Sequence, residues 1–139
     1  MKNKRTADIE LDALIKILPS LFKEILKKNL IGVYLTGSYV TDHFNFQTSD
    51  LDVAVILHTS LTPNVRKHIG VLHHDLQQKF PKWGRRIECS YITQAMLESM
   101  LPPLSARPYV NNGKLYEEDA LYGFEWLINL YSLQKNGPL

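Results

Sequence analysis

Apolar residues between Asp8 and Lys28 fall at Leu11, Leu14, Ile15, Leu18, Phe22, Ile25 and Leu26. This spacing predicts a helix, with Asp8 and Glu10 at its positive end and Lys27 and Lys28 at its negative end. Pro19 falls inside the pattern and predicts a kink or the start of a second helix. Ile31 to Thr36 is short, β-branched and aromatic, which predicts a strand. Leu51 to Leu57 is a second strand, apolar enough to be buried on both faces. Thr62-Pro63 is a helix start, a capping residue followed by proline at the first helical position. Val65, Ile69, Leu72, Leu76 and Phe80 form one stripe behind it, and Pro81 ends it. Arg86 to Thr93 alternates, with Ile87, Cys89 and Tyr91 on one face and Glu88, Ser90 and Ile92 on the other.

Gln94 to Met100 is a short helix candidate, and the stretch from Pro102 to Leu115 reads as irregular, with a turn at Asn112-Gly113. Glu117 to Asn136 again has helical spacing, and Gly137-Pro138 is a stop. The predicted order is α-β-β-α-β-α. The predicted fold class is α+β, a small mixed β-sheet flanked by helices.

Composition narrows the class further. The chain has 139 residues, 45% of them hydrophobic and 22% charged, as expected of one globular domain spanning residues 1–139. Sixteen basic and 14 acidic residues give a net charge of +2, too mild to indicate a nucleic-acid or membrane partner. Cys89 is the single cysteine and cannot form an internal disulfide. No signal peptide is read at the N-terminus, and no apolar run approaches a membrane span. A soluble, cytoplasmic domain is the expectation.

The candidate chemistry lies in Leu35-Thr36-Gly37-Ser38, followed after eleven residues by Asp50-Leu51-Asp52. One strand ends in a Gly-Ser turn, and the next begins with two aspartates two positions apart, which on a strand share a face. Two carboxylates held together are costly unless a cation lies between them. Hard oxygen ligands suit Mg²⁺, which takes one or two protein carboxylates and completes its shell with phosphate oxygens. Gly37 allows close approach of the backbone, and the hydroxyls of Ser38 and Ser49 can bind phosphate. Taken singly, each element is far more often just a plain turn or a solvated strand end; together they are specific.

Other polar residues read as ordinary structure. His73-His74-Asp75 is expected on a solvated helix face, and His43 and His58 have no ligand spacing. Cys89 is expected in the core. Lys82, Arg85 and Arg86 could reach a phosphate but fit a polar turn better. Trp126 suits packing, and Tyr39 is a candidate contact to a base.

Gly37-Ser38, the eleven-residue gap and Asp50-Leu51-Asp52 resemble the signature of the nucleotidyltransferase superfamily with the DNA polymerase β-like fold. Within it the chain is most similar to the N-terminal domain of aminoglycoside adenylyltransferases of the streptomycin/spectinomycin type. Leu-Thr-Gly-Ser-Tyr-Val-Thr-Asp-His-Phe (35–44), Arg-Ile-Glu-Cys-Ser-Tyr-Ile (86–92) and Glu-Trp-Leu-Ile-Asn-Leu-Tyr-Ser-Leu-Gln-Lys-Asn-Gly (125–137) carry that likeness. The resemblance implies that Asp50 and Asp52 hold a catalytic Mg²⁺ and that Gly37, Ser38 and Ser49 bind the triphosphate. It places a third carboxylate at Glu88, as metal ligand or as base toward the acceptor hydroxyl. The alternative is that Glu88 sits at an open edge or pairs with Arg86 or Arg107.

The implied reaction is transfer of a nucleoside monophosphate, AMP from ATP, to a hydroxyl of a small molecule such as an aminoglycoside. Such relatives continue into a helical second domain, which is expected to be absent here because the chain is either naturally minimal or truncated, and a homodimer is permitted. The rival expectations are a minimal antitoxin-type enzyme that modifies a partner protein, and a non-catalytic nucleotide-binding remnant.

Overall fold

The computed structural model describes residues 8–37, 45–98, 109–111 and 114–116. Helix α1 (Ile9–Leu26) is capped by Asp8, whose side chain accepts the Leu11 amide at 3.0 Å. A 3₁₀ turn (Lys27–Asn29) leads into β1 (Leu30–Thr36). Strand β2 (Leu51–Leu57) is followed by helix α2 (Pro63–Lys79), a 3₁₀ turn (Gly84–Arg86) and strand β3 (Ile87–Thr93). Helix α3 (Gln94–Glu98) and two short strands, β4 (Tyr109–Asn111) and β5 (Lys114–Tyr116), follow.

The five strands form one sheet in the order β1-β2-β3-β4-β5. Only β2 and β3 run parallel; the other three pairings are antiparallel. A parallel pair needs a crossover, and α2 supplies it. The expected α+β class with a mixed sheet is what the chain adopts. The turn expected at Asn112-Gly113 lies outside the described residues, as do Tyr39, His43, Arg107, Trp126 and the helix expected at 117–136.

Both long helices bury their stripes against one face of the sheet. Leu11, Leu14, Leu18, Phe22 and Leu26 of α1 meet Ile69, Leu72 and Leu76 of α2 and the alternate residues Leu51, Val53, Val55 and Leu57 of β2 in one core. Ala54 and Ile56, on the opposite face of β2, are buried too, as a strand apolar on both sides requires. Thr62 caps α2 by accepting the Val65 amide at 3.2 Å, with Pro63 in the first turn as expected.

Three expectations need correction. Pro19 does not begin a second helix: α1 runs through it. An interior proline costs about 3 kcal/mol, and each fully buried leucine or phenylalanine returns roughly 1.5–3 kcal/mol. Leu11, Leu14, Leu18 and Phe22, all 0% exposed and set on both sides of Pro19, therefore outweigh it. His73 is not on the solvated face with His74 and Asp75 but fully buried. Its Nε2 lies 2.7 Å from the Tyr91 hydroxyl, and its ring packs against Phe22 with centroids 6.2 Å apart. Finally, the stretch 102–115 contains β4 and the start of β5 rather than only irregular chain.

Candidate active site

The polar end of the sheet is built from the first residues of the two parallel strands and the last of β1. In the β2/β3 register Asp52 is opposite Glu88; in the β1/β2 register Asp52 is opposite Thr36; and Glu88 is opposite Asn111 of β4. Residues paired across a ladder share a face. Alternation therefore puts Asp52 and Glu88 together on the face turned away from the Leu51, Val53, Ile87 and Cys89 side chains of the core. Both are half-buried, whereas Ile87 and Cys89 on either side of Glu88 are fully buried.

Gly37 follows β1 directly, with φ at +65°, where glycine is favoured. A Cβ there would lie 1.9 Å from Asp52 Oδ2. The Asp52 carboxylate therefore occupies the space that any other residue at position 37 would fill. This close approach ties the glycine of the Gly-Ser turn to the second aspartate of the Asp-x-Asp pair.

Asp50 lies one residue before β2 and is exposed, so strand alternation alone does not hold it beside Asp52. It leaves a turn closed by the Ser49 and Thr48 amides, which donate to the Asn45 carbonyl at 2.9 and 3.2 Å. The Ser49 hydroxyl accepts the Asn45 amide at 2.9 Å. Ser49 thus shapes the approach to Asp50 through its own local bonds. Ser38 lies outside the described residues. Among the described residues no group of three or more histidine, cysteine, aspartate or glutamate side chains is gathered closely enough to hold a metal by itself. Mg²⁺ asks for less, one or two carboxylates with phosphate oxygens completing its shell, and the hard oxygens of Asp52, Glu88 and Asp50 have that donor chemistry.

Arg86 was expected in a polar turn, and its side chain does more than that. Its Nη1 donates to the Phe46 carbonyl at 2.8 Å, Nε to the Ser49 carbonyl at 3.1 Å, and Nη2 to the carbonyls of Ser49 and, at 3.5 Å, Asn45. Its guanidinium lies 3.9 Å from the Trp83 ring centroid. Nothing in the local pattern at 82–86 signals this contact, because its partners are nearly forty residues earlier.

Three further titratable side chains, Cys89, Tyr91 and His73, lie buried in the core. Burial pushes the Cys89 thiol up to about 12, only partly offset by a hydrogen bond with Tyr91, and leaves it unreactive. Burial also raises the Tyr91 hydroxyl well above its ordinary value and lowers His73 to about 4, so His73 is neutral at pH 7. A cavity of about 430 Å³, lined by Leu26, Asn29, His58, Leu61, Val65 and neighbours, opens beyond Leu57, at the far end of β2 from Asp52. No described helix is long and apolar enough to cross a membrane.

Among solved structures the chain is similar to the spectinomycin adenyltransferase AAD(9) from Enterococcus faecialis, crystallised with ATP and spectinomycin. The two share 24% identity and a TM-score of 0.46, over 90% of this chain and 45% of that protein. The chain thus corresponds to less than half of that structure. No curated protein matches it. Residues 12–106, more than half of the sequence and the span from the first turn of α1 to beyond β3, match the nucleotidyltransferase domain family, and the chain belongs to that family.

Proposed function

We propose that this domain carries out Mg²⁺-dependent transfer of a nucleoside monophosphate, AMP from ATP, to a hydroxyl group of a small polyol acceptor of the aminoglycoside kind. The observation that carries this reading is the opposition of Asp52 and Glu88 across the parallel ladder, with the bare Cα of Gly37 against the Asp52 carboxylate. Two carboxylates facing one way from neighbouring strands, whose backbones lie about 4.8 Å apart, make an acidic site that suits a cation.

Asp52 and Asp50 are the residues that would hold Mg²⁺. When bound, the ion supplies charge neutralisation and alignment for phosphoryl chemistry. Gly37, Ser38 and Ser49 would supply the phosphate side of the site, their backbone amides and hydroxyls being suitable donors to triphosphate oxygens. The acceptor oxygen attacks the α-phosphorus, the bond to the pyrophosphate oxygen breaks, and Glu88 takes the acceptor proton. Support for AMP and for an aminoglycoside-like acceptor comes from the sequence resemblance at 35–44 and 86–92.

Calorimetry tests the core of this reading. ATP should bind the wild type with Mg²⁺ and lose affinity with chelator or in Asp52→Ala. Equal affinity in all these conditions would remove the metal site. Transfer of α-labelled phosphate from ATP to a panel of aminoglycosides then tests the acceptor class, and no labelled product from any polyol would remove that part.

A further inference from the structure

We propose that Arg86 is a positioning residue of the nucleotide site, a clamp that holds the segment bearing Asp50 against the strand bearing Glu88. This rests on the nucleotidyltransferase reading above. The β2/β3 ladder begins at Leu51 opposite Ile87. Both Asp50 and Arg86 lie one residue outside it, where no backbone ladder fixes the spacing of the two chains. The Arg86 side chain bridges that gap, gripping the carbonyls of Asn45, Phe46 and Ser49 in the turn that delivers Asp50.

The arrangement uses what is particular to arginine. A planar fork can address several carbonyls at once and still stack its face on an aromatic ring, which a lysine ammonium cannot do. The stacking partner, Trp83, is 0% exposed and immobilised from α1: its indole N–H donates to Asp8 at 2.9 Å and its amide to Glu10 at 2.7 Å. Phe46 meets the same ring edge-on at 6.3 Å. A continuous set of contacts therefore runs from the start of α1 through Trp83 and Arg86 to the 45–49 turn. Two residues after Arg86 comes Glu88, so one side chain couples the approach to both halves of the acidic site. With its donors turned onto backbone carbonyls, Arg86 serves the site by holding the loop, not by meeting phosphate.

Hydrogen exchange and calorimetry on wild type, Arg86→Ala and Arg86→Lys separate the possibilities. The Thr48 and Ser49 amides report the turn, and the Val55 amide in β2 reports the core. Both variants should speed exchange at Thr48 and Ser49 by about ten-fold or more while Val55 stays protected, and should weaken Mg²⁺-ATP binding by a similar factor, since lost bonds to a charged donor are of this size. Arg86→Lys keeps the charge, so recovery of affinity by lysine would make Arg86 a phosphate ligand and overturn the clamp. Unchanged exchange, or faster exchange with unchanged affinity, would overturn it as well. If Arg86→Ala does not fold, Arg86→Gln carries the same comparison. A wild type that fails to bind Mg²⁺-ATP overturns the nucleotidyltransferase reading itself; a binding wild type with equally binding variants overturns only the role of Arg86.

Discussion

Asp52 and Glu88 are register partners in the one parallel pairing among the described strands. Thirty-six positions separate them in sequence, and α2 lies between. Like charges directly opposite each other on a sheet are mutually unfavourable. Each flanks a fully buried residue, Leu51 or Val53 in one case and Ile87 or Cys89 in the other, so the core on the opposite face sets their register.

The role of Glu88 is separable by one variant. Glu88→Gln keeps the shape of the side chain and removes the base. As a base toward the acceptor, Glu88 should be dispensable for Mg²⁺-ATP binding, while transfer falls by roughly 10² to 10⁴-fold. As a metal ligand it should also contribute to nucleotide affinity, which would then fall in parallel. Calorimetry and transfer rate on the same preparation distinguish these roles, and full activity with normal affinity would take Glu88 out of the site.

Gly37→Ala should damage the site more than the fold. The substituted Cβ has no room beside Asp52 Oδ2, and φ at +65° adds strain of about 1 kcal/mol. The Asp52 carboxylate is the movable partner, so it should be displaced. The expected outcome is a stability loss of roughly 1–3 kcal/mol in urea and loss of Mg²⁺-dependent ATP binding well beyond it. Nucleotide affinity equal to wild type would show that the contact between residues 37 and 52 is not part of the site.

Gly84→Ala should do the reverse. Its Cβ would lie 2.2 Å from the Leu76 carbonyl oxygen and 2.6 Å from the carbonyl carbon, and helix backbone cannot move aside as a side chain can. Separating α2 from the 84–86 turn should lower stability by about 2–4 kcal/mol. A denaturation midpoint equal to wild type would contradict the packing described.

Much of this was legible in the sequence because local chemistry and long-range packing agree there. Thr62-Pro63 caps α2, Leu51–Leu57 is buried on both faces, and Glu88 interrupts an apolar alternation at the position where it faces Asp52. Pro19 misleads because a local preference is outweighed by leucines buried on either side of it. His73 was recoverable: it stands four residues after Ile69 and three before Leu76, on the buried stripe, and only its polarity argued against that place. The contacts of Arg86 were not recoverable, since they join segments that only the tertiary fold brings together. Strands of three residues such as β4 and β5 are too short for alternation to mark them.

The buried histidine should give the protein a distinct acid sensitivity. Burial lowers His73 from 6.5 to about 4, so the folded protein resists taking the proton that the unfolded chain accepts. Below pH 6.5 the unfolded state binds one more proton than the native state. Stability therefore falls as pH drops toward 4 and levels off once both states are protonated, for a total on the order of 3 kcal/mol. Asp8 acts in a lower window. Burial would raise its carboxyl, but bonds from the Leu11 amide, Lys82 and the Trp83 indole hold it below 3.8, so its contribution is complete above that value and lost beneath it. His73→Gln separates the two, because glutamine can still bond the Tyr91 hydroxyl but does not titrate. Urea denaturation at pH 7, 5 and 4 should show the wild type losing stability faster than His73→Gln across that range. Parallel pH profiles for the two proteins would mean that His73 is protonated in the folded core without penalty, and would overturn its assignment as a neutral, desolvated partner of Tyr91.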